Sequence, residues 1–240
     1  MTKLGNYRKH TNNRAKNMSE IEKLECLLSS IHNIIFDLGG VIYNLDYSRT
    51  QKEFEKLGLE EFGKIYSQAA QTGLFDLYEK GLIDTDMFRN QLRTFVPDIS
   101  LSDSAIDKAW NAMLLDLPSW RLDIISSLRP RFRTFLLSNT NDLHLNAAYI
   151  ELREVAKVNS FSHFFEQAYF SNKLHLRKPD ADIFCYVLIK NGLKPAETLF
   201  IDDTARHVES AKKLGIKGLH IGGDVSLEDL YVTLHKYARH

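Results

Sequence analysis

Short uninterrupted apolar runs alternate with amphipathic stretches along most of this chain. The run Ile34-Ile35-Phe36 leads straight into Asp37 and then Gly39-Gly40, the pattern of a buried strand that breaks into a loop. After Pro118 the periodicity predicts helix 120–128, strand 134–138, helix 143–155, strand 168–171 and helix 181–190. Strand 198–201, helix 205–214, strand 218–221 and helix 226–237 follow. Strands that alternate with helices form a parallel sheet covered on both faces, so the predicted fold is a Rossmann-like three-layer α/β core.

Between about 47 and 117 the character changes. Segments 49–57, 61–70, 84–95 and 102–114 each have helical spacing, β-branched runs are scarce, and Gly58, Gly73, Gly81 and Pro97 separate the segments. The economical division is a core of residues 31–46 and 119–240 interrupted by an all-helical cap, 47–118. Residues 1–30 form a polar extension and a lead-in helix. Ser19 stands as N-cap of that helix with Glu22 as its capping-box partner, ahead of Leu24, Leu27 and Leu28. The first seventeen residues carry Lys3, Arg8, Lys9, Arg14 and Lys16 and no acid; Glu20, Glu22 and Glu25 then interrupt any apolar stretch, so this is read as a polar tail rather than a targeting peptide.

Composition narrows the possible partners. Lys and Arg number 31 and Asp and Glu 31, and a net charge of zero gives no global attraction to nucleic acid or to an anionic membrane. No uncharged apolar run has the length of a spanning helix. Cys26 and Cys185 lack metal-type spacing and are too few for a disulfide framework, which points to a reducing cytoplasm. Oligomeric state stays open.

In open parallel sheets ligands sit beyond the carboxyl ends of the strands. The polar residues there are Asp37, then Ser138 and Asn139, then Lys178 beyond the third strand, then Asp202 and Asp203. Carboxylates offer hard oxygen ligands to a cation such as Mg²⁺, a lysine neutralises phosphate as a point charge, and a carboxylate can serve as nucleophile. That set suits magnesium-assisted phosphoryl transfer on a small phosphorylated substrate.

Four separated strings also resemble motifs I to IV of the haloacid dehalogenase-like superfamily, in order. They are Phe36-Asp37-Leu38-Gly39-Gly40-Val41-Ile42, Leu136-Leu137-Ser138-Asn139-Thr140, Arg177-Lys178-Pro179-Asp180 and Phe200-Ile201-Asp202-Asp203. The resemblance spans about residues 31–223, and the helical insert is similar to the cap of the phosphatase-rich branch. Within that branch the Gly39 loop, the stretch Ser138 to Asn141, Leu143-His144 and the Arg-Lys-Pro string are similar to the alpha-D-glucose-1-phosphate phosphatase group. The resemblance implies that Asp37 is the nucleophile and that Lys178 bridges it to the phosphate. Ser138, with backbone N–H groups near Leu38, Gly39 and Asn139, would hold the transferring oxygens. Asp37, Asp202, Asp203 and the Gly39 carbonyl would bind Mg²⁺.

One position departs from the superfamily pattern. Most of its phosphatases carry a second aspartate, the general acid and base, where this chain has Gly39. Losing such a group costs about 10²–10⁴ in rate, and the expected consequence is a bias toward good leaving groups such as an anomeric sugar phosphate. Asp46 and Tyr43 are candidate stand-ins, with helix capping and packing as the alternatives. His207, one helical turn after Asp203, is a candidate neighbour of the metal or phosphate, with a structural role as the alternative; Thr140 and His144 are candidates for the site mouth. In the insert, Arg49 and the segment Phe75, Tyr78, Glu79 are candidate substrate contacts, whereas Trp110 and Trp120 are expected to pack. Three functions are therefore in play: a Mg²⁺-dependent phosphatase working through phospho-Asp37, a dehalogenase-type hydrolase, and a catalytically weakened binding or regulatory protein.

Overall fold

The computed structural model describes residues 19–59, 73–95 and 100–238, so the basic tail, the helix expected over 61–70 and the Pro97 break lie outside the described residues. The strands are β1 (Asn33–Phe36), β2 (Asn44–Leu45), β3 (Leu114–Asp116), β4 (Arg133–Ser138), β5 (Gln167–Phe170), β6 (Thr198–Asp202) and β7 (Lys217–His220). The helices of the first half are α1 (Glu20–Leu28), α2 (Tyr47–Lys56), α3 (Leu74–Glu79), α4 (Thr85–Arg93), α5 (Asp103–Asn111) and α6 (Ser119–Ser127). Those of the second half are α7 (Asp142–Ala156), α8 (Ser171–Leu174), α9 (Ala181–Asn191), α10 (Ala205–Lys213) and α11 (Leu227–Ala238).

The five-stranded sheet has the order β5-β4-β1-β6-β7 and all its pairings are parallel. Successive residues of a strand face opposite sides, and the central strands divide accordingly. Ile34, Phe36, Leu136 and Ile201 join Leu24 of α1, Leu122 of α6, Leu152 of α7 and Leu230 of α11 on one face. Ile35, Phe135, Leu137 and Phe200 join Ile183 and Val187 of α9 and Ala211 of α10 on the other. Burial on both faces is why these strands read as unbroken apolar runs. At α1 the expected capping box is present, Ser19 Oγ accepting from Glu22 N at 3.2 Å and Glu22 Oε2 from Ser19 N at 2.8 Å.

The chain winds outward from β1 to β4 and β5, then returns to β6 and β7 on the far side of β1. Polar residues following β1, β4 and β6 therefore share one edge at the point where the winding reverses. Phe36 registers with both Leu136 and Ile201, which brings Asp37, Ser138 and Asp202 to that edge.

The insert has its own core, where Trp110 is fully buried with Phe54, Phe75 and Phe88. It is not wholly helical. The helix expected over 102–114 ends at Asn111, and Leu114–Asp116 forms an antiparallel pair with Asn44–Leu45. Asp46 N donates to Met113 O at 2.9 Å and Asn44 Nδ2 to Asp116 Oδ1 at 2.9 Å, so the two chain crossings into and out of the insert are tied together. Helix α3, six residues long, is too short to show a helical period. Trp120, expected to pack, is 48% exposed and meets Tyr231 edge-on at 5.0 Å.

His144 joins the insert to the core. Its ring stacks on Trp110 with centroids 4.8 Å apart, and its Nε2 lies 3.1 Å from the Trp110 carbonyl, which can only accept. The proton is therefore on Nε2, and Nδ1 accepts from Asn141 Nδ2 at 3.1 Å. Among the described residues no helix is long and apolar enough to cross a membrane.

Burial lowers the His144 pKa to about 4, the bond to Trp110 O opposing it. A pKa below the unfolded value of about 6.5 means that the unfolded chain binds the extra proton first. Stability is complete above that value and declines as the pH falls toward 4. The stability difference between wild type and His144→Gln in denaturant titrations should therefore shift against wild type between pH 7.5 and pH 4.5, by at most about 1.4 kcal/mol per pH unit. A difference independent of pH contradicts this.

Candidate active site

The carboxylates at the sheet edge owe their places to strand ends, and Lys178 comes from the segment that follows α8. Asp37 follows β1 and is buried; its Oδ1 accepts from Leu38 N at 2.7 Å and from Lys178 Nζ at 2.9 Å. Lys178 is fully buried, and its Nζ also donates to Asp202 Oδ2 at 2.7 Å and to the Leu137 carbonyl at 3.1 Å. Three ammonium protons thus meet three acceptors. Asp202 closes β6, its Oδ1 accepting from Thr204 N at 2.8 Å. The half-buried Asp203 follows, accepting from Thr204 Oγ1 at 3.2 Å.

The lysine is held from outside as well. Asn139 Nδ2 donates to Lys178 O and Lys178 N donates to Asn139 Oδ1, both at 2.9 Å. The Asn139 side chain thus clamps the backbone that carries Lys178, while the residue also lines the cavity described below. His207 places Nδ1 3.1 Å from Asp202 Oδ1 and so orients that carboxylate, while burial lowers its own pKa.

Carboxylate oxygens of Asp37, Asp202 and Asp203 all lie within 4.8 Å of one another. Burial raises the Asp37 pKa well above the ordinary range, Lys178 acting against it and Asp202 and Asp203 adding to it. Asp203 is raised by burial and by Asp202. For Asp202 burial is outweighed by Lys178 and His207, and its pKa falls. Lys178 is raised, because Asp202 and Asp37 outweigh its burial. Three carboxylates facing one ammonium leave an excess of two negative charges. A small divalent cation with oxygen preference removes that excess, so the residues present fit Mg²⁺. Gly40 makes room for this arrangement: at φ 69° it adopts a left-handed conformation, and a Cβ there would stand 2.0 Å from Asp203 Oδ2.

Beside the carboxylates opens a cavity of about 80 Å³, lined by Gly39, Ser138 and Asn139 from the core and by Tyr43, Leu45, Met113 and Glu79 toward the insert. Thr140 and His144 line it too, as expected of the mouth. A Cβ on Gly39 would lie 2.6 Å from Leu45 Cδ1, so the position where a second aspartate would stand is filled by a neighbouring side chain. The stand-ins considered for it are engaged elsewhere. Asp46 caps α2, accepting from Ser48 N at 3.0 Å, and the Tyr43 hydroxyl donates to Glu151. Burial and Glu151 together raise the Tyr43 pKa. Arg49 is exposed, lies 3.7 Å from Asp46 Oδ2, and is not among the cavity-lining residues. Phe75 and Tyr78 belong to the insert core, and of that segment only Glu79 reaches the cavity.

Sequence reasoning assigned no role to the Arg177 side chain. It is buried and bridges Asp76 Oδ1 and Glu79 Oε2 of α3, each at 2.9 Å, directly before Lys178. Ser171 Oγ donates to Glu79 O at 2.6 Å beside it. A buried charge calls for a buried partner, but no spacing rule identifies a partner 101 residues away, as Asp76 is.

A lysine-bridged acidic cluster at the switch point of a parallel sheet, roofed by an inserted helical unit, defines a capped α/β hydrolase. Residues 31–215 match the family of haloacid dehalogenase-like hydrolases, and the chain belongs to that family. A curated relative, the D-ribitol-5-phosphate phosphatase of Bacteroides thetaiotaomicron, is 32% identical over 188 residues, 78% of this chain and 90% of its own length. A crystal structure of a family enzyme from the same organism, an aspartate-to-alanine variant with magnesium and inorganic phosphate, has TM-score 0.77 and 33% identity, covering 84% of this chain and 98% of that one. A predicted hydrolase of the family from Porphyromonas gingivalis has TM-score 0.72 and 33% identity, covering 80% and 91%. A dehalogenase structure at 20% identity and TM-score 0.51 shares the fold.

Two outcomes test the charge argument. Lys178→Met leaves buried carboxylates without their counter-ion and should destabilise the protein by about 3–5 kcal/mol in denaturant titrations. Mg²⁺ at about a hundred times its dissociation constant should stabilise wild type by about 2.7 kcal/mol in thermal denaturation, and Asp203→Asn should lose most of that gain. Equal gains in both proteins would remove Asp203 from the metal set.

Proposed function

We propose that the protein is a Mg²⁺-dependent phosphatase of a small phosphorylated sugar or polyol, working through an aspartyl-phosphate on Asp37. The observation that carries this reading is the buried Asp37–Lys178–Asp202 chain with Asp203 beside it, two negative charges in excess, next to a cavity lined by the neighbouring Leu38, Gly39, Ser138 and Asn139. The ribitol-phosphate activity of the curated relative supports the substrate class. It favours an ester of a primary alcohol over the anomeric phosphate that the Gly39 loop suggested.

Lys178 and the Leu38 N–H both hold Asp37 Oδ1, which fixes the carboxylate and leaves Oδ2 as the attacking oxygen. The Ser138 hydroxyl, buried at the cavity wall and 3.3 Å from the Asn139 carbonyl, would turn to donate to a phosphoryl oxygen. Mg²⁺ held by Asp37, Asp202, Asp203 and the Gly39 carbonyl would offset the charge of the phosphoryl group. Catalysis of this kind rests mainly on positioning and electrostatics, and a rigid buried lysine supplies both. The chain divides in this reading into a catalytic core, 31–46 and 119–240, and a cap, 47–118, that excludes water. The cytoplasm is the compartment that the two free cysteines fit.

Phosphate release from p-nitrophenyl phosphate, sugar 1-phosphates and pentitol 5-phosphates, with Mg²⁺ or EDTA, tests the proposal. Release should require Mg²⁺ and fall to background in Asp37→Asn. A folded, magnesium-binding wild type that releases no more than this variant from any ester would favour the binding or regulatory reading instead.

A further inference from the structure

Hydrolysis of an alkyl phosphate needs a proton for the departing alkoxide, and Gly39 cannot give one. The groups that line the cavity can be taken in turn. Tyr43 already donates its hydroxyl proton to Glu151. His144 has both ring nitrogens engaged, with Trp110 O and Asn141 Nδ2. Asn139 is used on both sides of its amide by the Lys178 backbone. Tyr47 is nearly half exposed at the rim, and a phenol retains its proton far above neutral pH. Glu79 is the one carboxyl group among the described residues that line the cavity.

Its attachment suits a positioned acid. Glu79 ends α3, its carbonyl accepts from Ser171 Oγ at 2.6 Å, and Oε2 lies 2.9 Å from Arg177 Nη2, so backbone and side chain are both fixed. The residue lines the cavity, and its buried Oε2 makes no hydrogen bond besides the ion pair with Arg177. The charged groups that act on it are Arg177, Asp76, Arg206 and Lys178, and burial prevails over the cations so that its pKa is raised. A raised carboxylic pKa is what a general acid near neutral pH needs.

We infer that Glu79, on the cap, is the general acid and base of this site, in place of the aspartate that Gly39 lacks. In the first step Asp37 Oδ2 forms a bond to phosphorus, the bond from phosphorus to the ester oxygen breaks, and the Glu79 proton passes to that oxygen, releasing the neutral alcohol. In the second, Glu79 takes a proton from water as the water oxygen bonds to phosphorus and the bond to Asp37 breaks, giving inorganic phosphate and restoring both carboxyl groups. Leu45 occupies the space beside Gly39, and Glu79 lines the same cavity.

The inference rests on the phosphatase reading, and leaving-group dependence separates the two. The test measures kcat/KM of the Mg²⁺-loaded enzyme, which reports the step that expels the alcohol, for glycerol phosphate, whose alkoxide needs the proton, and for p-nitrophenyl phosphate, whose phenolate leaves without one. Glu79→Gln should lower the ratio of the alkyl to the aryl kcat/KM by about 10²-fold or more. Arg177→Gln, which removes the anchor but keeps the acid, should lower that ratio by less than Glu79→Gln does. An unchanged ratio in Glu79→Gln, or an equal change in Arg177→Gln, would make Glu79 a cap-seating residue and overturn the inference. Wild type inactive on both esters would overturn the phosphatase reading and this role together. Calorimetry of phosphate binding to the Mg²⁺-loaded variants checks that the pocket persists; loss of binding in Glu79→Gln would likewise assign the residue to cap seating.

Discussion

A fully buried ammonium holds this active site together. Lys178 Nζ touches Asp37, Asp202 and the Leu137 carbonyl, joining three neighbouring strand ends of the sheet through one atom. Buried charges are costly unless they are paired and hydrogen-bonded; here every ammonium proton has an acceptor. The arrangement depends on the register that places Phe36 level with Leu136 and Ile201. It depends also on the Asn139 amide that fixes the Lys178 backbone. Slip of either strand would separate the lysine from its carboxylates.

The same cluster accounts for the need for a cation. One lysine cannot balance three carboxylates, and the raised pKa values of Asp37 and Asp203 express that imbalance as affinity for protons. On the proposed phosphatase reading a divalent cation would relieve it more fully than protons can, because it would leave Asp37 ionised as the nucleophile. Folding, metal affinity and nucleophile activation would then follow from one electrostatic arrangement.

The core was legible in the sequence because strands buried on both faces leave unbroken apolar runs, and the chemistry lies where such runs end: Asp37, Ser138, Lys178, Asp202 and Asp203 were all visible in this way. The insert was less legible. Leu114–Asp116 is separated by two residues from a helical stretch and becomes a strand only because Asn44–Leu45 comes alongside it. The Asn139 side chain clamps the Lys178 backbone, a contact between remote segments that no spacing rule reveals. The filling of the Gly39 position by Leu45 and the clamp of Arg177 on Asp76 and Glu79 depend on distances between remote segments, to which periodicity and spacing are blind.

The central claim is that Asp37 becomes phosphorylated during turnover. Rapid acid quench of the Mg²⁺-loaded enzyme with a radiolabelled phosphomonoester, followed by peptide mapping, examines this directly. The account predicts label on the peptide that contains Asp37, formed and lost at rates compatible with turnover and absent from Asp37→Asn. Turnover without label on that peptide, or with label on another residue, would contradict it.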